Sequence, residues 1–155
     1  MDSLKKSHLL IAFVVGAVIA VGFITMRDSS GQDLPSVTVY KSPTCGCCSK
    51  WVDHLEASGF TVNAIDTDEG ALIKARYGVP GDLRSCHTAL VDGYVIEGHV
   101  PAEEIKRMLA EDAEMAGLAV PGMPMGSPGM EGPRSEAYDI LAFQKDGSRA
   151  VYASR

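Results

Sequence analysis

Beyond residue 31 the sequence has no cluster of lysine and arginine, and its 155 residues carry a formal net charge of -6. Nucleic-acid binding needs cations massed on one face, so the chain is not read as a nucleic-acid protein. It has no internal repeat at solenoid period. Its length gives room for one modest domain with appendages and not for two full cores. Cysteine is sparse as well, with four in all: Cys45, Cys47, Cys48 and Cys86. Four could make two disulfides, but Cys47 and Cys48 are adjacent and make a poor rigid staple, which disfavours a purely structural disulfide framework.

What the chain does have begins with an apolar run. Leu9 to Met26 is eighteen residues without a charge, preceded by Lys5 and Lys6. As a helix it reaches roughly 27 Å, close to the hydrocarbon thickness of a bilayer. The lysine pair holds the N-terminus in the cytoplasm and sends the remainder across. An uncleaved anchor and a signal peptide cut after Gly22 both fit. The anchor is favoured because the run continues apolar past that site. Either way the working domain is expected outside the cytoplasm, where thiols oxidise unless they are paired, metal-bound or kept reduced by a partner.

Residues 28–36 read as a polar linker with Gly, Ser and Pro. Then "VTVY" (37–40) predicts a strand, and a helix follows over about 47–58, with Trp51, Val52 and Leu55 on one face and Gly59 as its stop. "FTVNAI" (60–65) predicts a second strand, and 68–78 a second helix. In "TALVDGYVIEG" (88–98) two β-rich arms flank Asp92-Gly93, the pair that supplies the positive φ angles of a tight hairpin. Pro101, Glu103 and Glu104 open a third helix with an apolar stripe at Ile105, Met108 and Leu109. The order β-α-β-α-β-β-α is that of an α/β, thioredoxin-like domain. "GLAVPGMPMGSPGMEGP" (117–133) reads as a loop, long enough to be functional or mobile. "YDILAF" and "RAVYAS" then flank Lys145-Asp146-Gly147 as a second hairpin. The expected organisation is therefore a signal-anchor or signal peptide over 1–27, a linker over 28–36 and the thioredoxin-like domain over 37–116. A Met/Pro/Gly-rich loop and a C-terminal hairpin packed on that domain follow over 117–155.

Three cysteines fall in "TCGCCSK", where the first strand gives way to the first helix. Unpaired N–H groups and the helix dipole there favour a thiolate, which both attacks disulfides and binds soft metals. Cys45 and Cys48 have the C-x-x-C spacing of thiol–disulfide oxidoreductases. Cys47 complicates that reading. Three thiolates fanning from one turn are awkward for a single tetrahedral zinc and suit several small soft ions bridged by sulfur, with Cu(I) ahead of zinc. Cys86 and His87 precede the third strand, and in a thioredoxin-like sheet the turn entering that strand abuts the start of helix one. Four thiolates and an imidazole are thus expected to converge.

Other candidates carry less. A lone loop histidine is more often bland than a ligand, and His87 gains weight only from Cys86 beside it. His99 is weighed as an outer ligand near the end of the sheet. His54 reads as a solvated or packing residue away from the cluster, and His8 as bland. Met108 and Met115 sit at helical spacing and read as core. Met123, Met125 and Met130 are balanced between gap-filling and thioether ligation of Cu(I).

With "CGCC", "SCHTA", "GY.IEGHVPA" and the Met-Pro-Gly loop in hand, the stretch from Val37 to Met130 resembles a bacterial family. It is the domain-of-unknown-function-411 family of metal-binding proteins, the CopG-like periplasmic copper-resistance proteins. The opening "YKSPTCGCCSKWVDHLEASGF" is also similar to arsenate reductases, a short likeness that bears on fold alone. The family resemblance implies a thioredoxin-like domain in the periplasm that binds copper through Cys45, Cys47, Cys48 and Cys86, with His87 nearby, and a role in copper redox handling. Its implied partners are metal ions and other copper-handling proteins, besides the membrane through the N-terminal helix. The alternative, a thiol–disulfide oxidoreductase using Cys45 and Cys48, stays open, and so does whether the protein is an enzyme.

Overall fold

A computed structural model describes residues 34–155 of the chain. The apolar run and most of the linker lie outside the described residues, so the expected membrane segment is not addressed by them. Among the described residues no helix is long and apolar enough to cross a membrane.

The expected alternation of strands and helices is present. In chain order the elements are β1 (Val37–Lys41), α1 (Gly46–Ala57), β2 (Val62–Asp66), α2 (Gly70–Arg76), β3 (Thr88–Val91), β4 (Tyr94–Glu97), α3 (Ala102–Glu111), β5 (Gly117–Ala119), β6 (Asp139–Phe143) and β7 (Arg149–Ser154). A short 3-10 turn, Gly81–Leu83, precedes β3. All seven strands belong to one sheet in the order β2-β1-β3-β4-β5-β6-β7. The pairs β1–β2 and β4–β5 are parallel and each is bridged by a helix, whereas the other neighbours are antiparallel. A parallel pair cannot be closed by a tight turn, which is why α1 and α3 stand where they do.

Side chains of a strand alternate between faces, and the cores follow that period. Val37, Val39, Ala89, Val91, Ile96, Leu118 and Ile140 pack with Trp51, Val52 and Leu55 of α1 and with Ala102, Ile105 and Met108 of α3. Val95, Ala119 and Phe143, one step out of phase, pack on the other face with Val79 and Leu83. Adjacent residues such as Val95 and Ile96 therefore serve different cores. The hairpin turn between β3 and β4 is as expected: Asp92 and Gly93 have φ of 46° and 85°.

One expectation needs correction. The segment 117–133 is not a loop throughout, because its first three residues form β5. "GLA" is too short and too plain to announce a strand. It becomes one by pairing with β4 on one side and β6 on the other. The C-terminal hairpin consequently extends the sheet itself.

Candidate metal centre

The first half of the site is local. After β1, the N–H of Cys45 donates to the carbonyl of Ser42 at 3.1 Å, and this turn places Cys45 at the N-cap of α1 in an extended conformation. Cys47 and Cys48 occupy the helix's first turn. Successive helical side chains diverge, and the consequence is visible: Cys48 is fully buried and Cys47 is half-exposed. Cys45 and Cys48 are joined as a disulfide, while Cys47 and Cys86 are free thiols. The thiolate-favouring helix start thus has no thiol to act on at 45 and 48 in this state. The Cys47 sulfur stands 3.5 Å from that of Cys45.

The second half arrives from the sheet. Cys86 and His87 precede β3, and the sulfurs of Cys45, Cys47, Cys48 and Cys86 all lie within 4.8 Å of one another. The expected convergence of the four cysteines across about forty residues is therefore present in the geometry. His87 reaches this group only through Cys86. Its ring is 1% exposed and packs on Trp51 of α1, with centroids 4.4 Å apart, and its Nδ1 is 3.2 Å from the Cys86 sulfur.

The sequence underweighted His99. It is buried, with Nε2 3.1 Å from the Cys86 sulfur and its ring edge-on to His87 at 5.0 Å. One donor atom each from Cys86, His87 and His99 lies within 4.8 Å of the others. A signal for this was present. The turn at Asp92-Gly93 sets a register in which Thr88 faces Glu97, and two steps further the same register brings residue 99 opposite residue 86. His99 Nδ1 is 2.7 Å from the carbonyl of Pro128. A carbonyl only accepts, so Nδ1 carries the hydrogen, and the Nε2 lone pair is left facing Cys86.

Polar anchoring holds the second half rigid. Glu97 is fully buried, and its carboxylate accepts from the Ser85 N–H at 2.5 Å, from Lys74 Nζ at 2.6 Å and from Thr88 Oγ1 at 2.7 Å. These bonds bracket the Cys86-His87 step from both sides and tie it to α2. The long loop covers the site through its backbone. Gly129 has a φ of 84°, and a Cβ there would stand 2.6 Å from the Cys47 carbonyl oxygen, so only glycine permits this approach. Met123 of that loop is 54% exposed. His54 is the packing residue the sequence suggested: its Nε2 accepts the N–H of Ala102 and caps α3.

Burial sets the ionisation of the site. It pushes the Cys86 thiol up to about 11, with Cys47 adding in the same direction. Burial also holds His87 well below its ordinary value and lowers His99 and His54. The His87 and His99 imidazoles are therefore neutral near pH 7 and offer lone pairs to the site. Soft sulfur and neutral imidazole make a donor set that fits a soft or borderline metal ion. His87 Nε2, buried and without a hydrogen-bond partner among the described residues, shows that hydrogen bonding alone does not account for that ring. An open cleft of about 410 Å³, lined by Ser42, Thr67, Lys74, Arg84 and Cys86 among others, gives the Cys86 side of the site a way to solvent.

A family model described as protein of unknown function, DUF411, matches residues 83–130, which include Cys86, His87, His99 and the methionine loop but not Cys45–Cys48. Two solved structures, named copper resistance protein CopG, form 2 and form 1, superpose with TM-scores of 0.75 and 0.74. Each is 44% identical over 79% of this chain and 98% of its own. No curated protein matches the sequence.

Proposed function

The chain belongs to the DUF411 family of CopG-like copper-resistance proteins, and from that premise we propose that it is a copper-binding protein of the cell envelope that contributes to copper resistance. The observation that carries this reading is the meeting of four cysteine sulfurs within 4.8 Å at the first turn of α1. In the reduced protein Cys45, Cys47, Cys48 and Cys86 hold Cu(I), with His87 as a neighbouring donor. Sulfur bridges several low-coordinate Cu(I) ions readily and zinc less so.

The same cysteines are an electron reservoir. Oxidation of Cys45 and Cys48 to their disulfide releases two electrons and two protons, enough to reduce two Cu(II) ions to Cu(I). We read residues 37–116 as the thioredoxin-like unit and 117–155 as its extension. We place the protein in the periplasm, held at the inner membrane by residues 9–26 or released after their removal. Its partners there are metal ions and other copper-handling proteins.

The test uses the full chain in detergent, reduced under anaerobic conditions and titrated with Cu(I) against a competing chelator. Retention of at least one copper per chain is expected. Loss of all copper to a chelator of moderate affinity ends this reading.

A second reading has one observation in its favour, the Cys45–Cys48 disulfide itself. It makes the protein a thiol–disulfide oxidoreductase. Metal-independent reduction of insulin, abolished by Cys48→Ser, would select it over copper binding.

A further inference from the structure

We propose that the open cleft beside Cys86 is a docking site for a small zwitterionic thiol, one that carries an ammonium and a carboxylate as amino acids do, and that this thiol reduces the Cys45–Cys48 disulfide. The inference rests on the reading of those cysteines as an electron reservoir, and it names the class of molecule that refills it.

A reservoir that has given two electrons to copper is left as a disulfide, and it works again only after a reductant returns them. A thiol is the reductant that exchanges with a disulfide directly. Cys48 is fully buried whereas Cys45 is half-exposed, so a reductant arriving from solvent meets Cys45. The cleft leads there. It encloses about 410 Å³, within the range of small-molecule sites. Ser42, from the turn that sets Cys45, and Cys86 both line it, and the sulfurs of Cys86 and Cys45 lie within 4.8 Å of each other.

Charge then selects the occupant. Three cations and one acid line the cleft: Lys41, Lys74, Arg84 and Asp68. Lys41 is held by Asp66 and Lys74 by Glu97, each at 2.6 Å, so both are neutralised in place. Arg84 is exposed and donates from Nε to the Val79 carbonyl at 3.4 Å, and it pairs with no carboxylate among the described residues. Asp68 is exposed too and pairs with no cation among them. One free guanidinium and one free carboxylate in the same cleft suit a ligand that bears both charges. The guanidinium fork matches a carboxylate, and Asp68 takes the ammonium. A plain anion would meet Asp68 and a plain cation would meet Arg84, so neither fits as well.

The bound thiolate attacks the Cys45 sulfur. A bond forms between the two sulfurs, the Cys45–Cys48 bond breaks, and Cys48 leaves as a thiolate at the helix start, taking up the ligand's proton through solvent. A second thiol attacks the ligand's sulfur in this mixed disulfide and frees Cys45. Two thiols are thus oxidised to one disulfide, two cysteines are reduced, and the two protons end on Cys45 and Cys48.

The test uses the full chain in detergent, metal-free and with its disulfide formed. Four thiols are compared: free cysteine (zwitterion), mercaptoacetate (anion), cysteamine (cation) and mercaptoethanol (neutral). Rates are read by acid quenching, alkylation and mass, and corrected for thiolate fraction and nucleophilicity. Free cysteine is expected to be fastest and to saturate. Arg84→Ala should slow free cysteine and mercaptoacetate on the order of tenfold, Arg84→Lys should restore part of that, and Asp68→Asn should slow free cysteine and cysteamine. Mercaptoethanol should keep its rate in every variant, which also reports that the variants are folded. Matching, unsaturated rates for all four thiols in the unsubstituted protein overturn the proposal. So does a free-cysteine rate that neither substitution changes, or a loss shared equally by all four thiols. No copper takes part, so failure here leaves the copper reading standing, while failure of Cu(I) loading with these rates intact does the reverse.

Discussion

The two halves of the site are built on different terms. The Cys45–Cys48 half is a turn and a helix start, half-exposed and closed by a short covalent link. The Cys86–His99 half is a cross-strand pair, mostly buried and held by a carboxylate with three donors. One half can change its chemistry by gaining or losing two electrons. The other keeps its geometry while that happens. The two properties sit on separate pieces of backbone that meet at the sulfur of Cys86.

That contrast can be attacked most forcefully at its rigid half. Lys74→Met leaves the Glu97 carboxylate buried without its cation and is expected to cost about 3–5 kcal/mol of stability in denaturant unfolding. Adding Glu97→Leu to it should recover much of the loss, because apolar replacement of a whole buried pair is often neutral. If Lys74→Met unfolds no more easily than the parent protein, the anchoring of the second half is misassigned.

Acid should be the next strongest perturbation. His54, His87 and His99 all have folded values lowered below the ordinary histidine value of 6.5, each chiefly by burial. The unfolded chain therefore binds protons that the folded chain refuses. Their contribution to stability is complete above pH 6.5 and is lost as pH falls below it toward the folded values. Unfolding free energy measured from pH 8 down to pH 5 should fall, with a net uptake of protons on unfolding; a flat profile would contradict the neutral imidazoles.

Reducing the disulfide tests the changeable half. For a link spanning three positions, the chain-entropy effect is about 2 kcal/mol. Reduction should lower the melting temperature modestly while leaving the three-imidazole acid profile in place. At the far edge of the sheet, Arg149 of β7 pairs with Asp82 on the surface. Arg149→Ala should cost less than about 1 kcal/mol and leave copper loading unchanged, which makes it the control for the whole series.

How much of this could be read from residues alone divides along the same line. The exposed half was legible in its placement, because its logic is local: strand residues, a cysteine spacing and a helix start lie within a dozen positions, whereas the joining of Cys45 to Cys48 was left open. The order of the first seven elements and the Asp92-Gly93 turn were legible for the same reason. β5 was not, since three plain residues become a strand only between two partners supplied from elsewhere. Nor was the grip of Glu97, which joins Lys74, Ser85 and Thr88 from three segments; in sequence it reads as one more charge at a strand's end. His99 lay between these cases, weighed as an outer ligand when the pairing register already set it opposite Cys86.

That register gives the small turn at Asp92-Gly93 a reach beyond its size. One additional residue there would slip β4 against β3, so that valine or glycine, and not an imidazole, came to rest beside the sheet-borne thiol. The cysteines would keep their places, and Cys86 would lose the imidazole that faces it across the hairpin. The spacing between two bends of the backbone decides, in this protein, which side chain stands against Cys86.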